Sequence, residues 1–455
     1  MKVTNPATEV VIRELEDDNA QTIAQKYDRA RKFQPAWART PLATRIKAIA
    51  NFRELLVRNK EKLSQTLTSE VGKPISQSRN EVGGVLGRID FFLENTQRAL
   101  QSETVLDDRS QTMKEMITHE PLGVIANISA WNYPYLVGSN VFVPALLAGN
   151  TVLYKPSEFA TLTGLAIHEM MMEAGIPKDA FITVIGAGTV GAELLKQPIN
   201  GVFFTGSYAT GKRIAESVAG RLIKTQLELG GKDPVYICDD VDVASVAAGV
   251  ADGAFYNTGQ SCCSVERIYV SAKIYDSFVE AFMTTVKGFK SGDPSQDSTY
   301  IGPLTRNPQR ETLDRQVADA KSKGAKLLCG GKRSQGKGYF FEPTVFIDVS
   351  NQMELMREES FGPIIGIQKT KDDEEAIQLM NDTEYGLTAA VYTKDAERAK
   401  RILSQLNAGS AYWNCCDRVS PRLPWSGRGH SGMGSTLSTY GILTFVQPKA
   451  WHLRG

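Results

Sequence analysis

Between residues 122 and 205, short apolar runs alternate with longer segments whose apolar residues recur at helical spacing. The runs are 123–128, 150–155, 181–185 and 201–205, and the helical segments between them are 134–147, 161–174 and 189–195. Two strands separated by a helix cannot form a tight hairpin, so they pair in parallel through crossover connections. The alternation therefore predicts an α/β fold with a doubly wound parallel sheet.

A second alternation, from about residue 233 to 425, predicts a further α/β unit. Its predicted helices lie near 242–257, 274–288, 307–323, 371–381 and 395–406, and its strands near 267–271, 326–328, 343–347, 364–367 and 389–392. Residues 16–105 are predicted to be helical, and 113–119 to be a strand paired with a neighbour near 101–106. The extended apolar pattern of 441–446 predicts a terminal strand, of a kind that often pairs with the hairpin of a second subunit.

The charge and cysteine patterns argue against several classes of protein. With 455 residues the chain can hold two or three domains, and its formal net charge of +1 gives no sign of nucleic-acid binding. Polar residues, glycine and proline interrupt the apolar stretch 137–154, so no membrane span is predicted. The six cysteines and four histidines show no zinc-ligand spacing, so we predict no metal site. The N-terminus has no apolar h-region, and a reduced, cytoplasmic setting fits best.

One thiol lies in an unusual setting. Cys262 ends the polar turn Asn257-Thr-Gly-Gln-Ser-Cys, which follows an apolar, helix-like segment, and we interpret its neighbour Cys263 as a packing residue. Upstream, Glu228 lies in an apolar run, where burial is expected to raise the pKa of its carboxyl. A thiol nucleophile and a carboxylate base are the minimum apparatus for covalent chemistry on a carbonyl carbon. Because a free thiol titrates near ~8.5, the site has to lower that value or supply a proton acceptor.

Three segments at the ends of predicted strands indicate a dinucleotide crevice. They are the GxGxxG of 186–191, which contains Gly188; the loop Phe204-Thr-Gly-Ser, which contains Gly206 and Ser207; and the segment with Lys155, Ser157 and Glu158. Backbone N–H groups at the start of a helix attract anions, and a lysine with a carboxylate can hold ribose hydroxyls. Each segment by itself is equally consistent with an ordinary turn or loop, whereas three at successive strand ends favour a cofactor site.

Together these segments resemble the aldehyde dehydrogenase superfamily over nearly the whole chain. The matching segments are Glu120-Pro-Leu-Gly-Val-Ile, Trp131-Asn-Tyr-Pro, Ala145-Leu-Leu-Ala-Gly-Asn, Lys155-Pro-Ser-Glu, Phe204-Thr-Gly-Ser, Glu228-Leu-Gly-Gly-Lys, Gly259-Gln-Ser-Cys, Glu358-Glu-Ser-Phe-Gly-Pro and Tyr385-Gly-Leu. Each is weak alone, but the full set in order at suitable spacing is very specific. The resemblance implies a Rossmann-type cofactor domain (1–99 and 122–229), an α/β catalytic domain (230–433) and a small β oligomerisation flap (100–121 and 434–455), assembled as a homodimer or homotetramer.

The resemblance also implies a reaction, in which an aldehyde is oxidised to its carboxylic acid. Cys262 is implied as the nucleophile, Asn132 with the backbone N–H of Cys262 as the oxyanion hole, and Glu228 as the base that activates water to hydrolyse a thioester. The implied cofactor residues are Lys155, Ser157, Glu158, Gly188, Gly206, Ser207, Leu229, Glu359 and Phe361. In this assignment the loop at 204–207 binds the pyrophosphate, and the GxGxxG lines the adenine pocket. Glu158 favours NAD because its charge repels a 2′-phosphate, whereas Lys155 and Ser157 leave room for NADP.

The substrate side is less well defined. The residues implied around the aldehyde are Tyr133, Tyr256, Ser261, Arg418, Val419 and Trp425. The run 413–425 is similar in frame to that of betaine-type and aminoaldehyde members, which enclose a cation with aromatic faces. However, Asn140 stands where another tryptophan would help, and Tyr256 stands where members resembling the succinic semialdehyde enzyme carry an arginine. Arg418 or Arg422 could still meet a substrate carboxylate, although each is more often a surface or packing arginine, and we predict a broad, partly aromatic or apolar aldehyde.

The tail departs from the family pattern at two positions. Gly429 takes the place of a lysine, and Thr436 takes the place of a glutamate that assists proton traffic in some members. A proton relay beyond Glu228 would therefore lack its acidic group. Two alternatives share the fold: a reductase of acyl-CoA or acyl phosphate, and a non-enzymatic structural protein. The first is disfavoured by the Glu228 base, which would waste the thioester by hydrolysis, and the second by the intact set of Cys, Asn and Glu.

Overall fold

Two large β-sheets, each flanked by helices, form the core of the protein in a computed structural model that describes residues 1–108 and 112–454. The strands are β1 (Lys2–Thr4), β2 (Val11–Glu14), β3 (Glu103–Asp108), β4 (Met113–Pro121), β5 (Val124–Ile128), β6 (Thr151–Lys155), β7 (Phe181–Thr183), β8 (Gly201–Thr205), β9 (Lys224–Glu228), β10 (Asp233–Ile237), β11 (Val265–Ser271), β12 (Lys326–Cys329), β13 (Thr344–Ile347), β14 (Ile364–Thr370), β15 (Thr388–Tyr392), β16 (Ser410–Trp413), β17 (Gly432–Met433) and β18 (Val446–Arg454). The α-helices are α1 (Ala20–Arg39), α2 (Leu42–Arg58), α3 (Lys60–Val71), α4 (Ile75–Ala99), α5 (Pro134–Leu147), α6 (Thr161–Glu173), α7 (Gly188–Lys196), α8 (Tyr208–Val218), α9 (Val243–Phe255), α10 (Tyr275–Gly288), α11 (Asn307–Ser322), α12 (Glu354–Arg357), α13 (Asp373–Asn381), α14 (Ala396–Leu403) and α15 (Ser438–Leu443). The predicted α/β fold is confirmed. Of the helices that the structure describes, none is both long and apolar enough to cross a bilayer.

The first sheet has the strand order β17-β9-β8-β5-β6-β7. Strands β5 to β9 run parallel, with Ile125 opposite both Val152 of β6 and Gly201 of β8, and β17 is added antiparallel to β9. The chain leaves β5 towards β6 and β7 and then returns to the other side for β8 and β9, so the strand order reverses between β5 and β8. Open α/β sheets bind ligands at such a switch point, beyond the carboxyl ends of the strands. Asn132 and Gly206 lie in the loops that follow β5 and β8.

The second sheet has the strand order β12-β13-β14-β11-β10-β15-β16. Its strands pair in parallel except for β12 with β13, and β10 and β11 are buried along their whole lengths. The three neighbours β14, β11 and β10 begin at the same edge of the sheet. The segments that enter them are 358–363, 256–264 and 229–232, so the order of the strands brings the predicted Cys262 turn beside two other predicted site segments.

A third, antiparallel sheet has the order β18-β4-β3, and the predicted β3–β4 hairpin is confirmed. The predicted strand at 441–446 is wrong, because Ser438–Leu443 form helix α15 and the strand begins at Val446. A short apolar run does not distinguish a strand from a buried helix turn, and Ile442 is fully buried here. Strand β18 pairs along its whole length with β4 of the same chain, and pairing with a second subunit stays a prediction. The limits of the three domains stay predictions.

An aromatic cluster fixes helix α5, whose start carries part of the site. The ring of Phe142 lies edge-on to Phe52, Tyr154 and Phe181, with centroids 6.1, 5.5 and 5.4 Å away. All four rings are buried. Edge-to-face pairs at these distances are favourable beyond the area they bury, so the cluster holds α5 firmly against β6 and β7.

Candidate active site

The turn that carries Cys262 has an unusual backbone. After helix α9, Asn257, Thr258 and Gly259 adopt positive φ angles of 54°, 59° and 70° in succession. Asparagine tolerates this region and glycine is free in it, but a β-branched residue such as Thr258 is strained there. A Cβ at Gly259 would lie 2.2 Å from the Gly362 carbonyl oxygen, so no larger residue fits. Strain of this kind persists where the surrounding structure imposes it, and it is concentrated at functional sites.

Two hydrogen bonds, one at each end of the turn, anchor it to neighbouring segments. The Asn257 N–H donates to Gln77 Oε1 at 2.8 Å, and the Thr305 N–H donates to Gln260 Oε1 at 2.9 Å. All four residues are buried and polar, so these bonds hold the loop in one arrangement. Cys262 follows, half-buried and without a disulfide, and borders a cavity of about 960 Å³.

Asn132 reaches the Cys262 loop from the loop between β5 and α5. Its Nδ2 donates to the Gln260 carbonyl at 3.3 Å, two residues before the thiol. Asn257 Nδ2 donates to the same carbonyl at 2.9 Å. A primary amide has two N–H donors, so one bond to Gln260 leaves Asn132 a second donor for a ligand beside Cys262. Asn132 does not line the cavity wall itself, and this bond is what places it at the site.

Glu228 ends strand β9 and is 5% exposed. Its Oε1 accepts a hydrogen bond from Thr436 Oγ1. Burial raises the pKa of Glu228 to about 7, against the opposing effects of the Thr436 hydrogen bond and the charge of Arg88. The expected rise is confirmed, and a carboxylate with this pKa can accept a proton near neutral pH.

The tail of the chain brings Thr436 to Glu228. Gly432 of β17 pairs with Glu228, and Thr436 forms two backbone hydrogen bonds with Trp425, at 2.8 and 2.9 Å. Thr436 is fully buried. The position that is a glutamate in the family pattern is therefore a neutral donor here, and it contacts the predicted base directly.

Cys262 and Glu228 both line a cavity of about 960 Å³. Its wall contains all the residues that the sequence assigned to the substrate: Tyr133, Tyr256, Ser261, Arg418, Val419 and Trp425. Leu136, Val137 and Asn140 of helix α5 line it as well. The predicted nucleophile, base and substrate residues thus share one enclosed space.

The cavity also holds a carboxylate that sequence reasoning missed. Asp417 Oδ1 accepts from Cys263 Sγ at 3.0 Å and from Ser261 Oγ at 3.5 Å, and burial raises the pKa of Asp417 to about 7. The pKa of the Cys263 thiol is raised well above its usual value by its hydrogen bond with Cys262 and by burial, so Cys263 stays protonated and donates to Asp417. A positive φ of 48° turns Asp417 inward, and nothing in the sequence around it signals that turn.

The predicted pyrophosphate loop lies at the start of helix α8. Ser207 is its N-cap residue, is exposed, and donates to Thr210 Oγ1 at 3.1 Å. The first N–H groups of a helix have no partner within it and attract anions. A Cβ at Gly206 would lie 2.4 Å from the Phe204 ring, which explains the glycine. This end of α8 therefore suits the phosphates of a dinucleotide.

The predicted adenosine residues lie at the end of β6. Lys155 is 3% exposed, and its Nζ donates to the Pro156 carbonyl at 3.3 Å. Its stem runs towards the GxGxxG helix, since a Cβ at Gly191 would lie 3.6 Å from Lys155 Cε. Ser157 Oγ donates to Glu158 Oε2 at 3.3 Å. Burial lowers the pKa of Lys155, as expected for an ammonium with few partners that faces a ligand site.

The remaining predicted cofactor residues are Leu229, Glu359 and Phe361. Glu359 Oε1 accepts from the Gly231 N–H at 3.0 Å, and burial raises the pKa of Glu359 to about 8. Phe361 packs edge-on against Trp131, with ring centroids 5.4 Å apart. The Leu229 side chain contacts helix α8, because a Cβ at Gly211 would lie 2.4 Å from Leu229 Cδ2.

A buried ion pair that the sequence did not reveal supports this segment. Lys232 Nζ lies 2.5 Å from Glu266 Oε2 and donates to Ser360 Oγ at 3.0 Å. The carboxylate of Glu266 in turn accepts from the N–H groups of Ser360 and Phe361, each at 3.0 Å. The backbone next to Glu359 is thus held by Glu266 of β11, and Lys232, just before β10, holds the Ser360 side chain.

Comparisons with known proteins bear on the family and the fold. The model of the aldehyde dehydrogenase family matches residues 1–451. An aminoaldehyde dehydrogenase from Malus domestica is 32% identical over 98% of this chain and 91% of its own length. A succinate-semialdehyde dehydrogenase from Arabidopsis thaliana is 34% identical over 99% of this chain and 85% of its own length. The crystal structure of an NAD-dependent aldehyde dehydrogenase from Sinorhizobium meliloti superposes with a TM-score of 0.96 at 32% identity, covering 100% of this chain and 91% of that one. The chain therefore belongs to the aldehyde dehydrogenase family.

Proposed function

We propose that this enzyme oxidises an aldehyde to the carboxylic acid with NAD(P)⁺, through a hemithioacetal and then a thioester on Cys262. The observation that carries the proposal is the shared cavity: Cys262 and Glu228 line it together, and the Asn132 amide is bonded to the loop two residues before the thiol. Nucleophile, base and oxyanion donor are the three groups that this chemistry requires.

In the first step the Cys262 sulfur attacks the aldehyde carbon. An S–C bond forms, the carbonyl π pair moves to oxygen, and the thiol proton leaves to a base. Solvent water in the cavity takes up that proton, so Glu228, which with a pKa of about 7 is partly ionised at neutral pH, remains available as the base of the hydrolytic step. The Asn132 amide and the Cys262 N–H stabilise the oxyanion, each by on the order of 3 kcal/mol.

The residues at the switch point fit a nicotinamide dinucleotide. Lys155 and Glu158 would hold the adenosine ribose, Ser207 and the start of α8 the pyrophosphate, and Glu359 the nicotinamide ribose. When bound, the nicotinamide accepts the hydride that leaves the former aldehyde carbon. Glu158 carries a negative charge at the ribose and favours NAD, and the similar Sinorhizobium meliloti enzyme is NAD-dependent.

In the last step Glu228 removes a proton from water, and the hydroxide attacks the thioester carbon. The C–S bond breaks, the carboxylic acid leaves, and the electron pair returns to the Cys262 sulfur. The burial that raises the pKa of Glu228 also makes its carboxylate a stronger base for this step.

We further propose that the substrate is uncharged, with an apolar or aromatic body. Tyr133, Trp425, Leu136 and Val137 give the cavity aromatic and aliphatic faces. The Lys73 ammonium already lies 3.7 Å from the centroid of the Tyr133 ring, which weakens the attraction of that ring for a cationic substrate. The similar plant enzymes are named for aminoaldehydes and for succinate semialdehyde. This chain, however, has no free aromatic cage for an amino group, and it has Tyr256 where the succinic semialdehyde type carries an arginine.

The test follows reduced nicotinamide with NAD and NADP separately, against aliphatic, aromatic, amino- and carboxy-aldehydes. Wild type is expected to turn over the uncharged aldehydes best and to prefer NAD. Cys262→Ala should abolish turnover, and Cys263→Ala, the matched neighbouring thiol, should retain it. Glu228→Gln should give a burst of about one reduced cofactor per active site and then a slow rate, because the thioester is no longer hydrolysed.

Two results would contradict the proposal. Full multiple turnover by Glu228→Gln would remove Glu228 from the hydrolytic step. Aldehyde release from an acyl-CoA, with no acid formed from aldehydes, would favour the reductase alternative. The cytoplasmic location and the homo-oligomeric assembly are part of the same proposal, and fractionation and light scattering test them.

A further inference from the structure

A second buried ion pair, Lys73 with Glu81, lies beside residues 132–135, which carry the proposed oxyanion donor Asn132. Lys73 follows the end of α3 and Glu81 is on α4, and both side chains are completely inaccessible to solvent. The Lys73 ammonium donates directly to Glu81 Oε2. Neither residue was predicted from the sequence, because their approach depends on how α3 and α4 pack.

Both side chains also make hydrogen bonds to the backbone of one short segment. Lys73 Nζ donates to the Asn132 carbonyl at 2.7 Å, and Glu81 Oε1 accepts from the Tyr135 N–H at 2.9 Å. Lys73 also covers one face of the Tyr133 ring. The two charged side chains therefore bind the backbone at both ends of the segment from Asn132 to Tyr135.

Helix α5 starts in this segment without a side-chain cap from its own N-cap residue. Tyr133 is the N-cap residue of α5, with φ −140° and ψ 63°, and its side chain makes no capping hydrogen bond. Pro134 has no N–H, so the Tyr135 N–H is the first backbone donor of the helix. A carboxylate at this position satisfies that donor and interacts favourably with the helix dipole. Glu81 thus acts as the cap, supplied from another helix.

A gain in the free energy of folding does not explain why such a pair is present. Removing two charges from water costs about as much as their attraction returns, and well-packed apolar replacements are often as stable or more so. What apolar replacements do not supply is the bond to the Asn132 carbonyl and the cap on Tyr135. A catalytic donor displaced by about 1 Å loses roughly 100-fold in rate, so its position matters more than the stability of its support.

We propose that Lys73 and Glu81 are positioning residues of the oxyanion hole: together they fix the backbone on both sides of Tyr133 and so aim the Asn132 amide at the substrate oxygen. The inference rests on the proposed role of Asn132. It requires that the pair affect the steps that form an oxyanion on the carbon bound to Cys262, beginning with acylation, and leave cofactor affinity unchanged.

The experiment measures the pre-steady-state burst of reduced nicotinamide and, without cofactor, the Cys262-dependent hydrolysis of 4-nitrophenyl acetate. The variants are Lys73→Met, Glu81→Gln, Glu81→Leu and the double variant Lys73→Met/Glu81→Leu. The double variant leaves no unpaired buried charge, and so keeps the test available if a single variant fails to fold. Arg398→Gln, which breaks an ion pair with Asp373 in the second α/β unit, is the matched control.

The expected result is a fall of about 100-fold in the burst rate constant and in ester hydrolysis for Lys73→Met and the double variant, with normal burst amplitude per folded molecule and unchanged NAD KM. Glu81→Gln should lose less than Glu81→Leu, because its amide oxygen still accepts from Tyr135. A merely structural role would lower the amplitude and spare the rate constant, as expected for Arg398→Gln, and that outcome overturns the inference.

Asn132→Ala separates this inference from the proposed function. If Asn132→Ala slows acylation and the folded double variant acylates at the wild-type rate, the positioning role alone is refuted. If wild type shows no Cys262-dependent acylation, the proposed function fails and the inference fails with it.

Discussion

Thr436 is expected to set the pH at which the enzyme releases its product. Its hydroxyl donates to Glu228 and lowers the pKa of that carboxyl, against the burial that raises it to about 7. Thr436→Val removes the donor and keeps the shape of the side chain. Because the hydrogen bond favours the ionised form, its loss has to raise the pKa of Glu228.

The size of the shift follows from the type of bond. A hydrogen bond to a charged group contributes roughly 1.5–3 kcal/mol, and one pKa unit corresponds to about 1.4 kcal/mol, so the pKa should rise by about one to two units. With a rise of one unit, the ionised fraction at pH 7 falls from about one half to about one tenth. The deacylation rate at that pH should then fall about fivefold and recover above about pH 9.

The assay is kcat as a function of pH, with the burst of reduced nicotinamide showing where deacylation limits the rate. Thr444→Val is the control, because Thr444 is in the same part of the tail but its hydroxyl donates only to backbone carbonyls, at 3.0 and 3.1 Å. An acid limb at the same pH in wild type and Thr436→Val, or one moved to lower pH, would refute the reasoning.

Three further predictions follow from the site. The folded-state pKa of Glu228 is raised from 4.5 to about 7, so the protein loses stability as pH rises through that window. Glu228→Gln should therefore stabilise it by up to roughly 3 kcal/mol more at pH 8 than at pH 4. Equal gains in the free energy of chemical unfolding at both pH values would contradict this. Gly259→Ala puts a Cβ 2.2 Å from the Gly362 carbonyl oxygen at a φ of +70°, so we expect loss of turnover and a lower Tm, with Gly249→Ala, which meets nothing within 4 Å, as the control. Glu158→Gln removes a charge beside the ribose and should lower the KM for NADP relative to NAD, by on the order of tenfold, in steady-state assays; an unchanged ratio would place Glu158 away from the 2′ position.

The fold was largely predictable because its strands are buried on both faces. Predicted strands such as β5 and β15 are mainly apolar runs bounded by turns, and the helices between the strands have clear spacing, so alternation alone indicates parallel sheets, although β10 was not predicted. The same reasoning failed at 441–446, where a short apolar run packs as helix α15. Length and periodicity were too limited there to separate the two structures.

The site was predictable only where its chemistry lies in one local segment. Cys262 in its turn and Glu228 in its apolar run were visible because their neighbours are unusual for those residue types. Asp417 and the pairs Lys73–Glu81 and Lys232–Glu266 were not, since a charged residue in a helix or before a strand normally faces solvent. Their burial is decided by tertiary packing that no local pattern encodes.

The bond between Thr436 and Glu228 joins residues 208 positions apart in the chain, and β18 completes the third sheet from still nearer the C-terminus. During synthesis, strand β9 therefore emerges with one edge unpaired, and it stays so until β17 has left the ribosome. An open strand edge invites pairing with other chains, so this interval is when the nascent protein is most exposed to misassembly. The environment of the base is therefore completed only when Thr436, 208 positions after Glu228, has been made.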